Sequence, residues 1–318
     1  MKDLSVIIPL LNEAESLPEL YDWISGVLAR EGYDYEIIFI DDGSTDGSWE
    51  VIKKIRSGDN RVRGIRFLRN FGKSQALHAG FSAARGRVVI TMDADLQDSP
   101  DEIPGLYRMI DKEGYDLVSG WKKKRYDSKI KKNIPSKLFN WAARKASGLP
   151  LHDFNCGLKA YNAKVVKNIN VHGEMHRYIP VLAKHAGFDK ITEKPVRHQA
   201  RKYGVTKFGM DRFINGFLDL VTLWFINKFG KRPMHFFGLI GTLMFTIGFF
   251  AAAGIGVNKL LHVYYFHTPA RLITDNPWFY LSLTTMIIGS LFFLAGFLGE
   301  IIIRNNPQME TYQISETI

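Results

Sequence analysis

Val88-Val89-Ile90-Thr91-Met92-Asp93-Ala94-Asp95-Leu96-Gln97 is a short run of apolar and β-branched residues cut off by two carboxylates and a glutamine. Such a run is too short for a core helix and suits a strand buried on both faces. The pattern recurs upstream. Residues 4–8 are stopped by Pro9 and followed by Asn12-Glu13, and residues 37–40 end at Asp41-Asp42-Gly43-Ser44. Helical spacing fills the gaps over about 14–30, 46–55 and 74–84, and 62–68 is strand-like. Strands alternating with helices imply an α/β fold with a mostly parallel sheet, whose ligands gather at the carboxyl ends of the strands. The three polar clusters at those ends, Asn12-Glu13, Asp41-Asp42 and Asp93 to Gln97, therefore mark the expected active site.

Each cluster has a chemical and a plain reading. Two carboxylates one residue apart in a turn can share a hard divalent cation with a diphosphate. Asp41-Asp42-Gly43-Ser44 reads as an ordinary turn, with Thr45 or Asp46 capping the next helix. Alternatively, Asp41 or Asp42 accepts hydrogen bonds from a base or ribose, as Glu13 can from the first strand end. Gly72-Lys73-Ser74 resembles the end of a phosphate-binding P-loop, but the preceding glycine, Gly64, is too far away. No G-x-G-x-x-G follows the first strand, so a nicotinamide cofactor lacks its cradle. Cys156 is the only cysteine, which excludes a disulfide framework and a cysteine zinc site. The histidines, including His152, His172, His176, His185 and His198, form no helical metal pair and read as surface or hydrogen-bonded structural residues.

Farther along, residues 234–257 and 278–299 contain no Asp, Glu, Lys or Arg. At about 1.5 Å per helical residue, each can cross a hydrocarbon core of roughly 30 Å. Residues 208–229 place Phe213, Phe217, Leu220, Val221, Trp224 and Phe225 at helical spacing. They read as a helix lying on a bilayer or as one packed on the domain. Lys228, Lys231, Arg232 and Arg304 outweigh Lys259 and Arg271 of the connecting loop, so both ends are expected inside the cell. The polar N-terminal residues agree with a cytosolic domain.

The 318 residues carry 42 Lys plus Arg against 32 Asp plus Glu, a net charge of +10. That total suits nucleic acid, anionic lipid or phosphorylated substrates equally. Its distribution is more telling: residues 122–145 hold one acidic residue, Asp127, among many basic ones. Arg201 and Lys207 flank a glycine just before the 208–229 segment. They read either as membrane-surface charges or as a grip on phosphates.

Taken together, these residues resemble the family 2 glycosyltransferases of the polyprenyl-phosphate type, a group that includes dolichol-phosphate mannosyltransferases and undecaprenyl-phosphate glucosyltransferases. The matching pieces are Val6 to Pro9 with Asn12-Glu13, Asp41 to Gly47, Arg69 to Lys73, Asp93 to Gln97, Asp153 with Cys156-Gly157, and Arg201 to Lys207. The resemblance implies a GT-A fold, a nucleotide-sugar donor, a polyprenyl-phosphate acceptor and Mg2+ or Mn2+ held by Asp93, Asp95 and Gln97. It implies a nucleotide pocket of Pro9, Glu13, Asp41, Asp42, Lys73, Asp93 and Ala94, with Asp95 and Asp153 as catalytic residues. Asp153 is either a base or a positioning group. Phosphate and acceptor binding fall to Lys122, Lys124, Arg125, Arg201 and Lys207. A family arginine found shortly after the position of Gly120 is replaced here within Trp121 to Arg125, which leaves open which of these basic residues meets the donor. The glutamine–arginine–tryptophan motif of processive synthases is absent, so one sugar is expected per acceptor.

The expected organisation is a cytosolic GT-A domain over 1–207 and a juxtamembrane amphipathic segment over 208–233. Two transmembrane helices follow over 234–303, at about 234–257 and 278–303 with a short outside loop, then a cytosolic tail over 304–318. The expected protein is a multi-pass component of an inner or plasma membrane whose partners are nucleotide sugar, polyprenyl phosphate and the bilayer. Nucleic acid is not an expected partner, and a homo-oligomer is compatible with the sequence. The expected reaction inverts the anomeric carbon, with a UDP-sugar favoured and GDP-mannose as the other donor, and undecaprenyl phosphate as the acceptor in a bacterium. Transfer to a lipid-linked glycan or a protein hydroxyl, and a non-catalytic sugar-nucleotide scaffold, are the competing readings. The scaffold would be expected to have lost an acidic metal ligand, and both Asp93 and Asp95 are present.

Overall fold

The computed structural model describes residues 2–123, 147–171, 173, 175–199, 202–203, 232–268 and 272–304, together with Arg144, Phe225 and Phe229. The expected amphipathic segment, with the exceptions just named, and the tail lie outside the described residues. Contacts divide the chain into two units, Met1–Leu223 and Trp224–Ile318.

The first unit is built on a seven-stranded sheet. In chain order its strands are β1 (Lys2–Leu10), β2 (Tyr35–Asp41), β3 (Val62–Arg66), β4 (Gly86–Thr91), β5 (Leu117–Trp121), β6 (Lys159–Asn162) and β7 (Ile191–Pro195). Their spatial order is β3-β2-β1-β4-β6-β5-β7. β1 pairs in parallel with β2 and β4, and β2 with β3, whereas β6 runs antiparallel to both β4 and β5. That single reversed strand matters for the site. Thr91, the last residue of β4, pairs with Lys159, the first of β6. The loop before β6 is thus delivered to the edge where the parallel strands end.

Among the described residues, the helices that cover the two faces are α1 (Leu17–Glu31), α2 (Ser48–Gly58), α3 (Lys73–Ala83), α4 (Ile103–Asp111), α5 (Ala163–Asn168) and α6 (Ile179–His185). Successive strand side chains point to opposite faces, and both faces are apolar here. Leu4, Val6 and Ile8 of β1 pack with Leu17, Leu20, Ile24 and Leu28 of α1 and with Leu106 and Ile110 of α4. Ile7, Ile38 and Val89 pack with Ala76, Leu77 and Phe81 of α3 and with Val165, Val166 and Ile179. Each fully buried aliphatic side chain contributes about 1.5–3 kcal/mol, which is why the central strands read as unbroken apolar runs. At the edge opposite the site, buried Glu36 accepts from Ser5 Oγ at 2.7 Å, Arg63 at 3.0 Å and the Arg85 N–H at 2.7 Å. This network ties together β1, β2, β3 and the start of β4.

The second unit contains α7 (Pro233–Leu260), a turn of π-helix (Leu261–Tyr265) and α8 (Pro277–Arg304). The two long helices meet backbone to backbone. A Cβ on Gly241 would lie 2.5 Å from the Gly289 carbonyl oxygen, and one on Gly248 would lie 2.6 Å from that of Ser282. Elsewhere they turn Leu239, Leu243, Ile247, Phe250, Leu291 and Phe297 outward. Within the most apolar 18-residue window of each helix only 17% of residues are buried, which distinguishes them from core helices of a soluble domain. Both are long and apolar enough to cross a membrane.

Candidate active site

Three strand ends meet where β1, β2 and β4 stop. Asn12 adopts a left-handed conformation (φ 58°), which Asn tolerates better than most residues. Its N–H donates to Ser44 Oγ at 2.9 Å and its Oδ1 accepts the Thr45 N–H at 2.9 Å. The Glu13 N–H donates to Ser48 Oγ at 2.9 Å. The first two clusters are thereby fastened to one another. Of the two expected helix caps, Asp46 accepts the Ser48 N–H at 2.9 Å from a position preceding the first turn. The Thr45 hydroxyl lies 3.5 Å from Asn12 Oδ1 instead.

Asp41 and Asp42 part company. Asp41 is fully buried; its Oδ1 accepts the Ser44 N–H at 2.8 Å, and Arg66 Nε lies 3.5 Å from its Oδ2. That Oδ2 has no hydrogen-bond partner among the described residues. An orphaned buried acceptor is costly unless a ligand satisfies it. Asp42 accepts the N–H groups of Phe71 at 2.7 Å and Gly72 at 2.9 Å, one on each oxygen, and so shapes the loop into α3. Burial pushes its pKa above the ordinary carboxylate range, with the two N–H groups opposing.

Asp93 sits at the end of β4 and is held by a cation. Lys73, the first residue of α3, places Nζ 2.5 Å from Asp93 Oδ1. Burial disfavours the charge of Asp93, but Lys73, Lys122 and Lys159 outweigh it and hold its pKa well below the usual carboxylate range. Gly157 lies beneath this carboxylate: a Cβ there would sit 2.5 Å from all three carboxylate atoms. Asp95 Oδ1 accepts the Gln97 N–H at 3.2 Å, and the intervening Leu96, buried, turns through φ 58°. Gln97 O in turn accepts the Gln199 N–H at 2.8 Å, so the chain two residues before Arg201 runs beside the acidic turn.

Pro9 and Ala94 are buried in the walls of the site, and Glu13 is half-buried. Lys122 differs from its expected role: it is half-buried and ion-paired to buried Asp98 at 2.7 Å. Burial works against its charge, yet Asp98 more than compensates and raises its pKa above the lysine range. Lys124, Arg125, Arg201 and Lys207 lie outside the described residues. Asp153 is buried, and its Oδ1 accepts the Asn155 N–H at 3.0 Å, a turn that sets the 153–157 loop.

A cleft opens beside Asp93, bounded by Lys73, Thr91, Asn155, Gly157, His176 and Arg177, with Lys159 and Tyr161 in its wall. Asp153 is not part of that lining. Ser74 Oγ accepts the His176 N–H at 3.0 Å and lies 3.2 Å from His176 Nδ1. Two hydrogen bonds thus fix the 175–178 turn against α3. Burial, helped by Lys73 and Arg177, keeps this imidazole neutral, its pKa far below the usual range. Lys159, Arg177 and His176 were not among the expected site residues. His176 fits its expected hydrogen-bonded role, but the role is in the wall of the site.

The residues around Asp93 suit a divalent cation. Among the described residues no three His, Cys, Asp or Glu side chains converge on one point. Two carboxylates and an amide oxygen are nonetheless the hard donors Mg2+ takes when diphosphate oxygens and water complete its shell. Asp93 stays ionised, and Gly157 keeps the space beneath it free of a side chain.

The chain is similar in sequence and in fold to known proteins. Over 261 residues the chain is 34% identical to a dodecaprenyl-phosphate galacturonate synthase of Rhizobium johnstonii, covering 81% of this chain and 77% of that protein. Over 303 residues it is 34% identical to the undecaprenyl-phosphate 4-deoxy-4-formamido-L-arabinose transferase of Salmonella paratyphi A, covering 95% and 88%. Its fold resembles that of glucosyl-3-phosphoglycerate synthase from Mycobacterium tuberculosis, crystallised with Mn2+, UDP-glucose and phosphoglyceric acid. The TM-score is 0.54 at 20% identity, over 70% of this chain and 79% of that one. Residues 5–170 match the glycosyl transferase family 2 profile, and the chain belongs to that family of sugar-transferring enzymes.

Proposed function

We propose that the protein transfers one sugar from a nucleoside diphosphate to a polyprenyl phosphate on the cytosolic leaflet, inverting the anomeric carbon. UDP-sugars are the favoured donors and GDP-mannose is the alternative. The observation that carries the reading is a strand-end site with an orphaned base-reading acceptor beside an ionised metal-type carboxylate, in a chain that also bears two exposed apolar helices. The names of the two relatives support a polyprenyl-phosphate acceptor.

In this reading Asp41 Oδ2 accepts an N–H of the base, and Glu13 faces the nucleoside from the neighbouring strand end. Asp93, Asp95 and Gln97 would hold Mg2+ or Mn2+, which when bound offsets charge on the departing diphosphate. A phosphate monoester has its second pKa near ~6, so the acceptor is largely dianionic at neutral pH. One of its oxygens attacks the anomeric carbon as the carbon–oxygen bond to the nucleoside diphosphate breaks, and no proton need be removed first. Asp153, buried and bound to the Asn155 N–H, then serves as a positioning residue for the 153–157 loop. Lys122 supports the acidic turn through Asp98, and Arg201, Lys207, Lys124 and Arg125 remain the assigned phosphate ligands.

Residues 1–207 form the catalytic domain in this reading and 208–233 the juxtamembrane segment. Residues 234–303 form a transmembrane hairpin whose loop lies outside, and 304–318 the cytosolic tail. The test is to incubate membranes containing the protein with labelled nucleotide sugars and short polyprenyl phosphate. Label should move into the organic extract with one donor and only when the acceptor is added. Label appearing instead in protein or glycan contradicts the proposal.

A further inference from the structure

The loop that enters β6 offers an amide to the cleft beside Asp93 while its backbone is held still. Within 153–157, Asp153, Phe154 and Cys156 are buried, whereas Asn155 is exposed and borders the cleft. The Asn155 N–H donates to Asp153 Oδ1 at 3.0 Å. The carbonyls of its two neighbours, Phe154 and Cys156, both accept from the buried Lys159 ammonium, the former at 3.3 Å. One residue farther on, the Gly157 carbonyl accepts from Thr91 Oγ1 at 2.8 Å. Among the described residues the side-chain amide of Asn155 has no hydrogen-bond partner of its own. A polar group mounted on a fixed backbone loses little freedom when it binds.

The strand order says which part of a donor reaches this amide. Across the sheet run β2, β1, β4 and β6. In the proposed function the nucleoside lies at the end of β2 and the diphosphate at the end of β4. The start of β6 is the next position, about 4.8 Å farther along, and the sugar is the next group of the donor. The chemistry of the amide agrees. It both donates and accepts, as a hydroxyl does, whereas a phosphate dianion only accepts. We infer that Asn155 is a specificity-determining residue whose amide hydrogen-bonds a hydroxyl of the transferred sugar. The inference rests on the nucleotide-sugar reading above and adds to it a residue that reads the sugar.

The experiment uses the full chain in detergent with Mn2+, as wild type, Asn155→Ala and Asn155→Leu, with folding judged by melting temperature. Asn155 is exposed, so both variants should fold, and Asn155→Ala carries the test should the larger side chain disturb the loop. UDP and GDP are titrated into the wild type first by calorimetry. If it binds neither, the nucleotide-sugar reading fails and this inference with it. The probes are then the diphosphate that binds and its sugar nucleotides: UDP-glucose, UDP-galactose and UDP-glucuronate, or GDP-glucose and GDP-mannose. Both variants should bind the free diphosphate as wild type does. They should bind the best of the sugar nucleotides about two- to tenfold more weakly, with a narrower spread among them. An equal loss for the free diphosphate, or unchanged affinity for every probe, overturns the inference. A loss confined to the acceptor, read as a raised KM for polyprenyl phosphate in turnover with labelled donor, also overturns it, because the amide would then serve the acceptor phosphate.

Discussion

Asp42 and Asp93 follow strands on either side of β1, and they are held by opposite means. Asp42 takes two backbone N–H groups, from Phe71 and Gly72, whereas Asp93 takes the ammonium of Lys73. Backbone amides cannot leave without unmaking the loop. A lysine on a four-carbon stem can swing aside at small cost. One side of the site is therefore a fixed frame, which also holds the buried Asp41 with its orphaned oxygen. The other is a place where one cation can be exchanged for another. In the proposed function the difference separates recognition from chemistry: the β2 side would read the nucleoside, and the β4 side would manage the charge of the diphosphate.

The largest effect expected from this division is at the exchangeable side. Asp93→Asn or Asp95→Asn should lower turnover by orders of magnitude with little change in melting temperature, and excess chelator should silence the wild type. Full turnover in chelator breaks the comparison at once. Gly157→Ala comes next. Its new Cβ would displace the Asp93 carboxylate, and an ångström-scale misplacement costs about a hundredfold; wild-type kinetics from a folded variant would show that the position of Asp93 does not matter. On the fixed side, Asp41→Asn should weaken nucleoside binding by about ten- to a hundredfold in calorimetry, with metal dependence retained. Affinity equal to wild type would remove Asp41 from recognition. The smallest effect sharpens the contrast. Lys73→Met strips Asp93 of its resident cation, so melting should fall by about 2–4 °C in chelator, a loss of order 1 kcal/mol, and recover with Mn2+. A loss that Mn2+ does not repair would mean that the lysine is structural.

The strand ends on both sides of the site were legible in the sequence, for a physical reason. β1, β2 and β4 are buried on both faces, so their apolar runs announce them, and the acidic clusters stand at their ends. β6 has only Lys159-Ala160-Tyr161-Asn162, a segment with neither alternation nor an apolar run, and its burial comes from pairing with β4 and β5. Missing that strand hid the reason Lys159 and the 153–157 loop reach the site. His176 gave no periodic signal either; its meaning comes from Ser74, 102 residues earlier. Lys122 was read with the basic run around it, because nothing local shows that Asp98 holds it. The apolar helices were plain from length and composition, since a helix able to cross a bilayer needs about 20 consecutive apolar residues.

The most direct test of the division is a calorimetric titration of the nucleoside diphosphate and its parent nucleoside into wild type and Asp95→Asn, each with Mn2+ and with chelator. Mn2+ should strengthen diphosphate binding to wild type by about tenfold or more, a gain of roughly 1.4 kcal/mol. It should leave nucleoside binding unchanged and do nothing for Asp95→Asn. Equal diphosphate affinity of wild type in Mn2+ and in chelator, or a Mn2+ gain that survives Asp95→Asn, would contradict the assignment of charge handling to the β4 side.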